Sequence, residues 1–209
     1  GVLGEISSQP IISANPDTLL ANINGCNDTT VVSLTIQNTG SSTLNYAISG
    51  FSDQTPNYCI PPYYDPCSSG DYIDGFEFHT LSNLSTGCNG NPDNYLYDTI
   101  NTTTVQIGGT YSMTMVPTDQ YDQGFAVWID YNKDGDFDDT LEHVYSSPTW
   151  STYPFFAMVT IPPIARIGKT RLRVRCSYQT ILTDTANCNW QDYGETEDYD
   201  IYIGGDIIL

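Results

Sequence analysis

Short segments that alternate apolar and polar residues recur along this chain, and clusters of turn-forming residues separate them. Gly108-Gly109 and Pro162-Pro163 are such breaks, because glycine and proline favour turns over regular structure. No segment repeats its apolar residues with the helical period of about 3.6. The chain is therefore predicted to be all-β, an antiparallel β-sandwich of the jelly-roll or immunoglobulin-like type. The predicted strands are 72–80, 95–100, 103–107, 111–116, 125–130, 155–161, 170–178 and 198–203.

The amino-terminal quarter has a separate pattern. Residues 31–37 present one apolar face, and residues 44–48 repeat it after a polar turn, which predicts a hairpin. This stretch resembles the first half of immunoglobulin-like modules of bacterial surface proteins. A few strands are marginally stable alone, so their apolar face is expected to cover another sheet. We place the domain boundary near Ser52, giving a partial immunoglobulin-like or donor-strand segment, 1–52, and a β-sandwich domain, 53–209.

Both ends of the chain are apolar. Residues 1–15 lack helical periodicity, which predicts either a loose leader or a strand that pairs elsewhere. Residues 1–12 and 201–209 are candidates for free strands. If one copy donated such a strand to the next, the chain would be the protomer of an extracellular filament. A fragment of a longer chain, cut within an array of domains, is the simpler alternative.

The net charge of the chain argues against two classes of partner. It carries 25 acids against 6 bases, a formal net charge of −19. Nucleic acids and anionic membrane surfaces attract basic proteins, so neither is an expected partner. No apolar run approaches the ~20 residues of a membrane-spanning helix. No signal peptide is visible, so a secreted protein is expected here in mature form.

The six cysteines predict disulfides and an oxidising, extracellular compartment. No CxxC motif occurs and the chain has only two histidines, which argues against a zinc site. Cys176 and Cys188 flank a short loop and are predicted to pair with each other. Cys59, Cys67 and Cys88 are predicted to link among themselves or with Cys26.

Residues 128–142, WIDYNKDGDFDDTLE, combine a strand end with a run of oxygen ligands. The spacing follows positions 1, 3, 5 and 9 of an EF-hand-like loop, and Gly135 stands at position 6, where a sharp turn needs glycine. A hard cation such as Ca²⁺ takes six to eight oxygens. A solvated acidic turn is the alternative, and position 12 is Leu141 rather than glutamate. The predicted Ca²⁺ ligands are Asp130, Asn132, Asp134, Asp136 (through its main-chain oxygen), Asp138, Asp139 and Glu142.

A basic strand and an acidic strand follow. In RLRVR, the three arginines share a face, and in GETEDYDIYI acids lie on both faces. We expect an antiparallel pair with arginine–glutamate rungs, a ladder that is structural rather than catalytic. Arg173 and Glu197 are predicted to form its buried or half-buried pair.

These segments, in this order, resemble the GEVED domain family. The resemblance covers roughly residues 57–204, and its strongest marks are the loop DYNKDGDFDD, residues 130–139, and the terminal GETEDY, residues 194–199. Thr196 replaces the valine of the name motif. GEVED domains are β modules of large secreted and surface proteins, mainly of Bacteroidetes-type bacteria, often beside proteases, adhesins and sorting signals. The resemblance implies a location and an architecture rather than a reaction.

The sequence predicts that the protein is not an enzyme, since it contains no GxSxG, HExxH, P-loop or dinucleotide motif. Three functions remain: a structural or adhesive calcium-binding module, a filament protomer and a carbohydrate-binding module. The expected partners are other extracellular domains, copies of the same chain, or glycans. The aromatic residues proposed to stack on sugar rings are Tyr63, Tyr64, Tyr121, Trp150 and Trp190.

Overall fold

The computed structural model describes residues 11–15, 35–42, 58–88 and 94–204. The chain divides into two compact units, Gly1–Ser52 with Ile207–Leu209, and Asp53–Asp206. Within the described residues, no helix has the length and apolar character needed to cross a membrane.

The first unit contains a two-stranded antiparallel sheet. Strand β1 (Ile12–Asn15) pairs with β2 (Thr35–Asn38). The Asn38 side chain organises the turn that follows: its Oδ1 accepts from Gly40 N at 3.0 Å, and its Nδ2 donates to Ser42 O at 2.7 Å. The predicted second strand, 44–48, lies outside the described residues, as does Cys26. The immunoglobulin-like character of this segment stays a prediction.

The second unit is built from two sheets. A five-stranded sheet has the order β5-β11-β10-β7-β8, and a four-stranded sheet has the order β4-β3-β6-β9. The strands are β3 (Ile73–Phe78), β4 (Leu81–Leu84), β5 (Tyr95–Gln106), β6 (Thr110–Pro117), β7 (Gln123–Ile129), β8 (His143–Ser146), β9 (Phe155–Thr160), β10 (Gly168–Tyr178) and β11 (Gly194–Gly204). The sequence did not predict β4 and β8, and the two segments 95–100 and 103–107 are one strand.

The inward faces of the two sheets share one apolar core, which confirms the predicted β-sandwich. Phe76 and Phe78 of β3 and Met113 and Met115 of β6 are almost fully buried against the five-stranded sheet. One pairing differs from the expected antiparallel order: β11 runs parallel to β5. The free carboxy-terminal strand predicted from Ile201 onward is wrong up to Gly204. These residues belong to β11, inside the sheet, and Ile201 is buried in the core.

The antiparallel pairing of β10 with β11 is confirmed, but its register differs from the predicted rungs. Arg173 lies opposite Asp198, and Val174 lies opposite Glu197. The Arg173–Glu197 pair is therefore wrong. The arginines point to the outer face of the sheet, whereas Glu197 shares the inner face with Tyr199, a core residue.

The predicted Cys176–Cys188 disulfide is also wrong. The disulfides are Cys59–Cys188 and Cys67–Cys88, and Cys176 is a buried free thiol. Cys176 lies on the core face of β10, and Cys188 follows a short turn of 3-10 helix on the outer side of the sheet. The short sequence separation gave no information about which face each sulfur occupies.

Candidate metal site

In the loop between β7 and β8, side-chain oxygens accept hydrogen bonds from backbone N–H groups of the same loop. The Asp130 carboxylate accepts from Lys133 N at 2.5 Å and from Gly135 N at 3.1 Å. Asn132 Oδ1 accepts from Asp134 N at 2.9 Å, and the same pattern repeats two residues further along at Asp134 and Asp136. Gly135 has a φ of 100°, a left-handed conformation that glycine adopts without a steric penalty. The order of polar residues therefore determines the backbone of the loop.

Phe137 attaches this loop to the outer face of the five-stranded sheet. Its side chain is buried with Trp128 in a small apolar cluster, and its ring centroid lies 5.2 Å from that of Tyr58. The guanidinium of Arg173 lies 4.8 Å from the Phe137 ring centroid. Neither Phe137 nor Tyr58 was predicted for this site from the sequence. The apolar residue at position 8 of the loop was the available signal for Phe137.

Three exposed carboxylates converge on the solvent side of the loop. Oxygens of Asp134, Asp136 and Asp139 all lie within 4.8 Å of one another. Asn132 Nδ2 donates to Asp134 at 2.8 Å and also to Asp139. Of the seven predicted ligands, these four residues are brought together at the surface.

Two further acids of the loop are buried. The Tyr58 hydroxyl donates to Asp130 Oδ2 at 2.5 Å, and burial raises the pKa of Asp130 despite the hydrogen bonds that lower it. Glu142 Oε1 accepts from Tyr131 N at 2.9 Å. Burial raises the pKa of Glu142 to about 7, and repulsion from Asp130 adds to this effect. Asp130 and Glu142 therefore share a desolvated acidic layer in the loop.

Glu142 Oε2 is buried and has no hydrogen-bond partner within the described part of the chain. A buried polar atom without a partner carries the full cost of desolvation, so native proteins rarely leave one. Asp138 lies apart from the other acids, because its Oδ1 accepts from Asn187 Nδ2 at 2.6 Å. The donor set consists of carboxylate oxygens with one buried oxygen left over, and it fits a hard cation such as Ca²⁺.

Beside the loop, Arg173 joins the ladder to the loops that cover it. The side chain is fully buried, and its Nε and Nη2 donate to the two oxygens of Asp198 at 2.7 and 2.8 Å. Its remaining donors reach Cys59 O at 2.7 Å and Asn187 O at 2.9 Å. Cys59 and Cys188 form the disulfide that links these two covering loops. These contacts hold the two covering loops in position over the sheet. None of the groups involved is placed as a nucleophile.

The glutamates of the GETEDY segment, in contrast, lie on the core side. Glu195 Oε2 accepts from Ile73 N at 3.0 Å, and Glu197 Oε2 accepts from the Tyr199 hydroxyl at 2.6 Å. Burial raises the pKa of Glu197 to about 8, so this carboxyl is largely protonated at neutral pH. The position of Gly194 in this segment requires glycine for a steric reason, because a Cβ there would lie 2.1 Å from Cys176 O.

The predicted sugar-stacking aromatics are distributed over several surfaces. Tyr63 is half-buried, and its hydroxyl bonds to Thr196 at 2.7 Å and to Arg175 Nε at 3.1 Å, so its predicted exposure is wrong. Tyr64 and Trp190 are exposed on two segments joined by a parallel bridge between Tyr63 and Gln191. Tyr121 and Trp150 are exposed elsewhere on the sandwich.

Comparison with known proteins bears out a family resemblance over part of the chain. No curated protein matches the chain in sequence. Among solved structures, the chain is similar to a family 123 glycoside hydrolase from Clostridium perfringens, described in a study of glycolipid glycan hydrolysis, with 10% identity and a TM-score of 0.27. That likeness covers 61% of this chain and 27% of the other, and we draw no conclusion from it. Residues 124–202 match the family described as GEVED domain. This stretch includes the acidic loop, β10 and most of β11, so the resemblance to the GEVED domain family, predicted for residues 57–204, is confirmed over residues 124–202.

Proposed function

We propose that this protein is a structural or adhesive module of a secreted or cell-surface protein, and that its acidic loop binds one Ca²⁺. A GEVED domain and two disulfides support an extracellular location. The seven predicted ligand residues lie in one loop that begins and ends at a strand of the five-stranded sheet. A cation bound there would stiffen a connection of the sandwich.

The unpartnered Glu142 Oε2 is the observation that carries this proposal. It belongs to the same loop as the three exposed carboxylates of Asp134, Asp136 and Asp139. A bound Ca²⁺ would supply positive charge to this group. Asp134, Asp136 and Asp139 would hold the ion at the surface, with Asn132 turning its amide oxygen toward it. Asp130 and Glu142 would support it from the buried side.

The loop favours Ca²⁺ over Mg²⁺ on chemical grounds. Mg²⁺ demands a tight octahedral shell and releases its water reluctantly, whereas Ca²⁺ accepts six to eight oxygens in irregular geometry. The carboxylates here come from one irregular loop and include both exposed and buried groups. The role is structural, because Phe137 connects the loop to the Arg173 layer of the sheet.

Calorimetric titration tests the site directly. We expect the purified protein to bind one Ca²⁺ with heat release or uptake that Mg²⁺ does not reproduce at equal concentration. We also expect chelator to increase protease cleavage between residues 134 and 139. The absence of Ca²⁺ binding at millimolar concentration, with cleavage unchanged by chelator, would show that the loop is only an acidic turn.

A carbohydrate-binding role is the second candidate, and one surface favours it. Tyr64 is exposed and lines a cavity of about 310 Å³ together with Pro61, Pro62 and neighbouring residues. Trp190 is exposed on the segment that the bridge between Tyr63 and Gln191 joins to that of Tyr64. Aromatic rings stack on sugars through their apolar faces. A glycan array with wild type, Tyr64→Ala and Trp190→Ala tests this, with Trp150→Ala as the control. Binding that survives both substitutions contradicts this assignment.

A further inference from the structure

Strand β9 forms one edge of the four-stranded sheet. It pairs with β6 on one side, and no strand of the described residues pairs with its other side. The backbone donors and acceptors along a free edge can pair with another strand. The strand is short and bounded by Pro154 and Pro162, so its free edge has a defined length.

The outward face of β9 is apolar except for Thr160 at its end. Phe156 is 75% exposed and Met158 is 64% exposed, whereas Val159 points into the core. Natural edge strands are commonly protected by a charged side chain, a proline within the strand or a bulge. The sequence of β9, FFAMVT, has none of the first two, and its register with β6 is continuous, without a bulge.

The surroundings of β9 lack charge. Residues 144–165 contain no Asp, Glu, Lys or Arg, although the chain has 25 acids and 6 bases. The neighbouring strand β6 contains none either. Two copies that each carry a net charge of −19 repel one another over most of their surface. They can approach with least repulsion where the acids are absent.

We propose that two copies of this chain pair through β9, edge to edge and antiparallel, about a two-fold axis at Ala157. In this register, Phe156 of each copy lies opposite Met158 of the other, and Phe155 lies opposite Val159. The same surface serves both copies, as a two-fold interface requires. Aromatic–aliphatic cross-strand pairs stabilise such an edge. Two four-stranded sheets become one continuous sheet, and the exposed side chains of Phe156 and Met158 each gain an apolar cross-strand neighbour. The pairing is independent of Ca²⁺.

The occupant follows from this symmetry. The sequence FFAMVT has apolar residues at equal distances on both sides of Ala157, so a second copy presents an apolar side chain opposite each Phe156 and each Met158. The strand β4, at the other edge of the same sheet, offers a matched control, because Leu84 is 52% exposed there and lies outside the proposed contact.

The test is the molar mass of the full chain in solution, measured by light scattering across a dilution series. Wild type and Leu84→Lys are expected to have twice the mass of a single chain at high concentration and to dissociate on dilution. Phe156→Lys/Met158→Lys is expected to remain a single chain throughout. Both substituted side chains point to solvent, so the melting curve should show a folded protein. If the lysine variant is unfolded, Phe156→Thr/Met158→Thr replaces it, since threonine favours strands.

Two results would overturn the proposal. The first is a wild-type chain that stays a single chain at every concentration. The second is an assembly of any size that the β9 variants leave intact, because the interface would then lie elsewhere. An assembly that Leu84→Lys dissolves equally would also reject β9 as the specific contact.

Discussion

The ladder formed by β10 and β11 and the loop of residues 130–142 both concentrate acids, but they neutralise them differently. In the ladder, Asp198 is paired with Arg173 at 2.7 Å, and Asp200 is paired with Lys169 at 2.8 Å. In the loop, six acids accompany a single base. The ladder therefore carries its own counter-charges, and its contribution to stability does not need an ion from solution. The loop is expected to need one.

On the core side of β11, an acidic side chain is neutralised in a third way. Glu197 lies on the opposite face of β11 from Asp198, and its buried Oε1 has no partner within the described residues. Its raised pKa means that a proton, rather than a base or a metal ion, removes the charge. Three acidic environments in one sandwich are thus expected to depend on an arginine, a cation and a proton. Each dependence can be tested separately.

Breaking the ladder should have the largest effect. Asp198→Asn keeps the shape of the side chain but leaves the fully buried Arg173 without a counter-charge. We expect the free energy of unfolding to fall by about 3–5 kcal/mol, measured by urea denaturation. Asp119→Asn is the control: Asp119 is exposed, so the same substitution there should cost about 0.5 kcal/mol or less. Equal effects of the two variants would contradict the buried role of Arg173.

The disulfide above Arg173 should rank next. Cys59→Ser/Cys188→Ser removes a link between residues 129 positions apart, and we expect a loss of about 2–5 kcal/mol in urea denaturation. Cys67→Ser/Cys88→Ser removes a link across 21 positions and should cost less, because a shorter loop constrains the unfolded chain less. Peptide mapping without reductant provides the check on connectivity. A Cys176–Cys188 peptide would contradict the structure.

The proton on Glu197 predicts a dependence of stability on pH. The unfolded chain releases this proton near pH 4.5, whereas the folded protein keeps it up to about pH 8. The folded state therefore binds more protons between these values, and its stability falls as pH rises through this window. The expected slope is about 1.4 kcal/mol per pH unit from this group. Stability below pH 4.5 retains the full contribution.

Glu197→Gln isolates this effect, because glutamine keeps the size of the side chain and does not titrate. The difference in unfolding free energy between wild type and the variant should change with pH between 5 and 8. Its slope should be about that expected for one titrating group. Glu77→Gln, at a half-exposed position on β3, is the matched control and should run parallel to wild type. A Glu197→Gln curve that also runs parallel to wild type would show that the carboxyl is already ionised in the fold.

The strands of the sandwich were predictable because, in a strand with one buried face, apolar residues alternate with polar or smaller ones. Phe125, Val127 and Ile129 alternate, and all three lie in the shared core. The strands that sequence analysis missed, β4 and β8, have only four residues each, too few for a period to be visible. The parallel pairing of β5 with β11 was not predictable, because it joins segments about a hundred residues apart.

The ladder shows where charge patterns mislead. β11 carries acids on both faces, so opposite charge alone fits either register against the arginines of β10. The apolar residues resolve the choice: Tyr199, Ile201 and Ile203 alternate in phase with Glu197, and all three are buried in the core. Assigning the alternating apolar residues to the core first would have placed Asp198 and Asp200 on the face of the arginines and excluded Glu197 from it. Cys176 shares the core face with Val174 by the same reasoning.

The acidic loop was the part of the candidate site that sequence analysis located best, since the ligand-like residues are contiguous. Spacing placed Gly135 at a sharp turn, and in the structure this residue has a left-handed φ of 100°. It did not separate Asp138, whose carboxylate is held by Asn187 from a distant loop. It also missed the burial of Glu142, because the solvent exposure of a turn residue depends on what packs above it.

The most direct test of the account is the effect of Ca²⁺ on stability when the loop acids are neutralised. We compare wild type, Asp134→Asn/Asp136→Asn/Asp139→Asn, and a control with the same charge change at exposed sites outside the loop, Asp119→Asn/Asp184→Asn/Asp192→Asn. Ca²⁺ at ten times its dissociation constant should stabilise wild type and the control by about 1.4 kcal/mol. The loop variant should gain nothing. An equal gain in all three proteins, or no gain in wild type, would contradict a calcium site in this loop.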